Sequence, residues 1–181
     1  MIYGIIAILI ILVVLLCVGY NQLIKFKNMV NNQWSQIDVL LKRRTDLIPN
    51  LVETVKGYAK HEQETLESVI NARNKSVTAN SFEDSTQANN ELTGALNKLF
   101  ALSEAYPDLK ANANFIDLQK NLKETEDKIA YARQFYNDSV LKYNNKVEMV
   151  PTNIIAMLFG FKKKDFFEIT EEDRQVTKIK M

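Results

Sequence analysis

The constraint that dominates this chain is the absence of charge before Lys25: from Ile2 to Tyr20 it reads IYGIIAILIILVVLLCVGY, almost all Ile, Leu and Val. At about 1.5 Å of rise per residue those nineteen residues cover roughly 28 Å, the hydrocarbon thickness of a bilayer. Tyr3 and Tyr20 stand at the two ends, where amphipathic rings favour the headgroup layer. A cleaved signal peptide fits poorly, because the segment has no basic start, its apolar block is too long and no small-x-small pair follows it. A lipidated Cys17 fits poorly as well, since Val14, Leu15 and Leu16 precede it where small residues are required. The expectation is an uncleaved single-pass anchor. Lys25 and Lys27 follow the span and only the terminal amine precedes it. Positive-inside bias therefore places the N-terminus outside and the remaining chain in the cytoplasm.

Cys17 is the only cysteine, so no intrachain disulfide forms and redox compartment is left open. The 23 basic and 22 acidic residues nearly cancel, which argues against nucleic acid as a partner. Between Lys25 and Met149 the only glycines and prolines are Gly57, Gly94, Pro49 and Pro107, too few for anything but long helices. Apolar residues recur at alternating steps of three and four. One stripe is Leu23, Phe26, Val30, Trp34, Ile37 and Leu41, and a second is Ile48, Val52, Val55, Ala59, Leu66 and Val69. A third is Ala88, Leu92, Ala95, Leu99, Leu102 and Tyr106, and a fourth runs from Phe115 through Leu122, Ile129, Tyr136 and Tyr143 to Val147.

Thr45 or Asp46 as a cap, with Pro49 in the first turn, predicts the end of one helix and the start of the next; the alternative is one long helix kinked at Pro49. Residues 80–86 read as a loop, Pro107 with Asp108 marks another, Asn112 or Asn114 caps the last helix and Pro151 stops it. The predicted fold is all-α: an N-terminal transmembrane helix followed by an antiparallel up-and-down four-helix bundle. Residues 1–24 are the anchor, 25–149 the bundle and 150–181 a tail suited to the membrane interface. In that tail six apolar residues between Ile154 and Phe161 precede Lys162, Lys163 and Lys164.

Chemistry-bearing motifs are sparse. His61 and Glu62 begin HEQET, but a zinc hydrolase needs a second histidine and the chain has one, so His61 reads as a surface residue. There is no phosphate-binding glycine loop and no nucleophile elbow, and no cofactor or metal is expected. Extending the second stripe puts Glu62 and Arg73 toward the core, and Glu126 and Arg133 lie on the shoulder of the fourth. Such charges need opposite partners or water. They form either a polar layer fixing helix register or a ligand-binding or enzymatic site between helices.

Three stretches carry a resemblance. QWSQIDVLLKRRTDLIPNLVETVKGYAKHEQETLESVINAR at residues 33–73, TEDKIAYARQFYNDSVLKYN at 125–144 and PTNIIAMLFGFKKKDFFEI at 151–169 resemble, in order, the marked segments of LemA family proteins. The resemblance runs from Tyr20 to the C-terminus. It implies a helical bundle on one membrane anchor, no established enzymatic reaction, and envelope protein partners, with membrane metalloproteases and TPM-domain proteins as gene neighbours; self-association is left open. By position it draws in Asp38, Arg43, Arg44, Asp46, Asn50, Glu53, Tyr58, Glu62, Arg73, Glu126, Arg133, Tyr136 and Asn144 as a polar network or partner surface, none of them catalytic. The functional expectation is a non-enzymatic, membrane-anchored interaction module of the cell envelope.

Overall fold

A computed structural model describes residues 2–167, and among them all regular structure is helical: α1 Ile2–Lys56, α2 Gln63–Thr78, α3 Phe82–Ser103, α4 Pro107–Lys110, α5 Ala113–Glu148 and α6 Thr152–Leu158. Side chains 2–18 of α1 are all exposed, as a bilayer-facing surface requires and a core helix of a soluble protein does not. The described residues divide into two compact units, 2–36 with 132–167, and 37–131, and α1 and α5 each contribute to both.

The expected break at Thr45–Pro49 is corrected: α1 runs through Pro49 and ends at Lys56. A proline inside a helix removes one N–H and leaves the carbonyl four residues earlier without its donor. Here that carbonyl belongs to Thr45, and Arg73 Nε donates to it from α2 at 3.4 Å. Thr45 caps nothing; its hydroxyl donates back to the Lys42 carbonyl at 2.8 Å. The chain turns instead at Gly57, where Tyr58 and Ala59 N–H groups both reach the Val55 carbonyl, at 3.0 and 2.9 Å. The loop expected at Pro107 and Asp108 holds the short helix α4 instead, with Pro107 in its first turn, where a missing N–H costs nothing; two other signals hold with small shifts. Ser81 accepts from Asp84 N–H at 3.0 Å and starts α3 inside the expected loop, and Asn112 accepts from Phe115 N–H at 3.0 Å to start α5.

The unit of residues 37–131 is built on one apolar cluster. α1 supplies Ile48, Leu51 and Val55, α2 Leu66 and Val69, α3 Leu92, Leu96 and Leu99, α4 Leu109, and α5 Phe115 and Leu122. Each such side chain removed from water contributes about 1.5–3 kcal/mol. In this unit every residue of the second and third stripes is buried or half-buried, which is why the heptad reading of these helices works.

In the unit of residues 2–36 and 132–167, Trp34 of α1 meets Tyr136 of α5 edge-to-face at 5.9 Å, while Thr152 and Ile155 beyond the end of α5 lie against Gly19. α1 and α5 are therefore antiparallel there. Residues 161–167 rise alongside them without helical structure, from Phe161 against Tyr20 (5.7 Å) to Phe167 stacked on Trp34 (5.6 Å). The lengths agree: fourteen helical steps from Tyr20 to Trp34 rise about 21 Å, and six extended steps about 20 Å.

Candidate functional site

The polar centre of the unit of residues 37–131 is Arg44, whose side chain is wholly buried. Continuing the first stripe by steps of three and four from Leu41 gives Arg44 and then Ile48, so an uninterrupted α1 aims this guanidinium inward. Its Nη1 donates to Glu126 of α5, forming an ion pair, and to Thr93 Oγ1 at 3.0 Å. Nη2 donates to Asn89 Oδ1 at 2.5 Å and to the Asn89 carbonyl at 3.1 Å. Asn89 is itself fixed, its amide donating to the Ser85 carbonyl at 2.7 Å. Thr93 adds a bond to the second Glu126 oxygen at 3.3 Å. Arg44 Nε, also buried, has no hydrogen-bond partner among the described residues. The burial is one-sided: Glu126 keeps 37% of its side chain exposed and reaches water.

Glu126 forms one end of an open groove of about 580 Å³ between α3 and α5, with Leu96, Phe100, Ile116 and Leu122 as its apolar lining and Asn97, Gln119, Lys120 and Lys123 as its polar edge.

Glu62, Arg73, Glu126 and Arg133, named together from the stripes, each meet a different partner. Glu62 accepts from the Tyr106 hydroxyl at 3.0 Å, and that bond is the main reason the Tyr106 phenol is raised above its ordinary range. Arg73 serves the Thr45 carbonyl and Asn74 Oδ1 (3.3 Å). Only Glu126 of the four joins Arg44, and Arg133 belongs to the other unit, its guanidinium 5.2 Å from the Phe167 ring centre. Asp38, Arg43, Asp46 and Glu53 are exposed; Asp46 pairs with Lys42 at 3.2 Å, and partial burial pushes the Asp38 carboxyl up. Asn50 is exposed, and the exposed Tyr58 accepts from Asn112 at 2.9 Å. His61 is on the surface as expected. Among the described residues no three His, Cys, Asp or Glu side chains come together as a metal site would need.

The second polar array, in the other unit, joins α5 to residues 161–167. Asn144 donates to the Lys164 carbonyl and accepts from the Lys164 N–H, both at 2.9 Å. Seven residues earlier Asn137 does the same to Phe167, at 3.1 and 2.8 Å. Tyr143 and Tyr136, also seven apart, donate to the carbonyls of Lys162 (2.9 Å) and Asp165 (3.2 Å). Seven helical residues rise about 10.5 Å and three extended residues about 10 Å, so each two-turn step on α5 meets the next equivalent peptide group. The ladder reads backbone, not side chains. Burial, with the Asp165 charge second, pushes the Tyr136 phenol up to about 12, and burial raises Tyr143 too.

Three groups central to these arrays, Asn89, Thr93 and Asn137, lay outside the sequence reading. Asn89 and Thr93 are one turn apart on the shoulder of the third stripe, and Asn137 precedes Asn144 by one heptad; those spacings were the available signals.

The three stretches that suggested a family are now explained by what they build: α1 with Arg44 and Pro49, the ladder face of α5, and the segment it holds. The family model for LemA matches residues 33–181. The chain belongs to the LemA family. It is similar to Protein LemA of Metamycoplasma hominis, with 28% identity over 158 residues covering 85% of this chain and 71% of the relative. It is also similar to Magnetosome protein MamQ 2 of Paramagnetospirillum magneticum, 24% identical over 179 residues, and to Magnetosome protein MamQ of Magnetospirillum gryphiswaldense, 24% identical over 178. This LemA-family chain spans about two thirds of those two magnetosome relatives, 66% and 65% of their lengths.

Proposed function

We propose that this chain is a single-pass, membrane-anchored helical module of the bacterial cell envelope that acts by holding other proteins and not by catalysis. In this reading residues 1–24 anchor, the helices of residues 25–149 form an up-and-down bundle, and the bundle faces the cytoplasm. The observation that carries it is the use made of the charged groups: Arg44, Glu126, Arg73 and Glu62 are each committed to a structural partner, while the groove beside Glu126 has an apolar lining and a lysine edge. Such a lining suits an amphipathic partner segment with acidic residues facing Lys120 and Lys123. Membership of the LemA family and relatives named for the magnetosome support membrane association.

The test uses the full chain in native membranes, with a photocrosslinking residue at Ile116 in the groove or at Glu67 on an exposed part of α2. A partner docked in the groove gives an adduct from 116 that is absent from 67 and that disappears when Lys120 and Lys123 are replaced by Glu. Equal adducts from both positions, or none from 116, would sink the reading. An enzymatic alternative requires instead that Glu126→Gln abolish a turnover while leaving the adduct in place.

A further inference from the structure

We propose that α6 is an in-plane membrane foot: a short helix that lies in the headgroup layer and, with the lysines around it, seats the unit of residues 2–36 and 132–167 on anionic phospholipid. This rests on the reading of residues 2–20 as a span, and it adds where the chain meets the same membrane a second time.

The placement follows from contacts to the end of the span. The tip of Ile155 lies where a side chain at residue 19 would begin and Thr152 is in ordinary contact with the same point, so α6 packs closely on α1 at Gly19. Phe159, just after α6, packs on Tyr20 with ring centres 4.9 Å apart, and Phe161 meets the same ring at 5.7 Å. Tyr20 closes the apolar run, at the depth where the hydrocarbon gives way to headgroups. α6 is fixed at that depth by these contacts.

Its two faces then differ in the required sense. Thr152, Ile155 and Ala156 are buried against the unit, whereas Ile154, Met157, Leu158 and Phe159 are 52, 77, 65 and 59% exposed. Three large apolar side chains on one short helix and a fourth at its C-cap, exposed and continuous with a membrane-spanning surface, match the amphipathic pattern of interfacial helices. Seven residues are too few to span, so the helix lies along the surface. Lysines flank Tyr20 and Phe161 in the chain. Lys25, Lys162 and Lys163 are exposed, and Lys27 sits over the Phe161 ring at 5.8 Å. Glu148, paired with Lys163, is the acidic group in contact with this cluster. Lysines at this height meet lipid phosphates directly.

The experiment reconstitutes the full chain, with Cys17→Ser, into phosphatidylcholine vesicles with or without one part in four of phosphatidylglycerol. An environment-sensitive fluorophore is placed on a cysteine at Met157 or Leu158, or at Asp138, which is exposed on α5 of the same unit. Labels at 157 and 158 should emit to the blue of the label at 138 and be quenched by lipids brominated in the acyl chains, and the label at 138 should not be. In the anionic vesicles Lys162→Gln and Lys163→Gln should each lower the immersed-to-aqueous ratio of the 158 label roughly fivefold. In phosphatidylcholine alone they should not. Labels at 157 and 158 as aqueous as that at 138 would overturn the foot. Labels shielded from water but not quenched by lipid would assign the face to a protein contact and overturn it equally. Immersion indifferent to lipid charge and to both lysines would remove the anionic-lipid part. An alkaline carbonate wash separates the underlying reading: release of the chain refutes the span, whereas retention with aqueous labels refutes the foot alone.

Discussion

Removing the Glu126 carboxylate should cost far more than removing the charge it faces. Arg44 has no exposed surface and cannot turn to water, whereas 37% of the Glu126 side chain is exposed. In Glu126→Ala the guanidinium keeps only neutral acceptors, Thr93 Oγ1 and the two Asn89 oxygens, and its Nε has none to begin with. A buried charge stripped of its counter-charge typically costs about 3–5 kcal/mol. For a chain of this size, about 2–4 °C per kcal/mol, the unfolding midpoint falls by roughly 6–20 °C. Arg44→Met removes the buried charge and keeps much of its volume, and Glu126 then relaxes to solvent. Its cost is limited to lost hydrogen bonds and the freed Asn89 and Thr93 groups, about 1–3 kcal/mol. The double variant Arg44→Met with Glu126→Ala should be more stable than Glu126→Ala alone, because the stranded cation is gone. The assay is thermal and denaturant unfolding of the full chain in detergent, followed by far-ultraviolet circular dichroism. A Glu126→Ala midpoint within 2 °C of the parent, or a double variant less stable than Glu126→Ala, would refute a dry, one-sided ion pair.

Three further outcomes follow from other contacts. Arg73→Met should cost about 1 kcal/mol in the parent chain but almost nothing in Pro49→Ala, because alanine restores the N–H that serves the Thr45 carbonyl; equal losses in the two backgrounds would show that Arg73 works elsewhere. Tyr136 is held neutral up to about 12 against about 10 in the unfolded chain, so its contribution is complete below pH 10 and is lost as pH rises toward 12. Tyr136→Phe should therefore flatten the alkaline fall in stability; identical slopes would contradict it. For the cytoplasmic orientation, Lys98 on α3 is an exposed position for a cysteine. With Cys17→Ser, Lys98→Cys should resist an impermeant maleimide in intact cells and react once they are opened, and ready labelling of intact cells reverses the topology.

Most of the helical core was legible because burial follows the spacing of apolar residues: Leu23, Val30, Ile37, Ile48, Val55, Leu92, Leu99, Leu122 and Tyr143 are all buried as the stripes require. The error at Thr45–Pro49 is instructive, because the sequence carried the contrary signal. Leu41, Arg44, Ile48, Val52, Val55 and Ala59 are separated by steps of three and four, so the stripe crosses Pro49 without a phase break. Treating the proline as punctuation cut the stripe and left Arg44, the one arginine placed at a core position of α1, off it, so that its inward direction was not read. A proline's local cost was weighed there without its distant compensation, since the donor that satisfies the Thr45 carbonyl comes from α2, 28 residues along the chain.

The ladder on α5 was hidden for a different reason. Side-chain periodicity registers what is apolar, so Tyr136 and Tyr143 were read as stripe members, and Tyr136 and Asn144 entered a polar network only through the family resemblance, with no partner named. Their hydrogen bonds go to peptide groups of residues 162–167, which have no signature in a side-chain pattern. The arrangement has a physical consequence. An extended segment packed on helices lacks the backbone partners a sheet would supply, and a helix face cannot offer a backbone ladder as a strand does. Asparagine solves this, because its amide presents one donor and one acceptor in the geometry of a peptide edge. Placed every seven residues, it turns one stripe of α5 into a substitute strand. That matched rise acts together with the segment's own rings, Phe161 on Tyr20 and Phe167 on Trp34, to hold residues 161–167 along α1 and α5 and so carries the chain back from the end of α6.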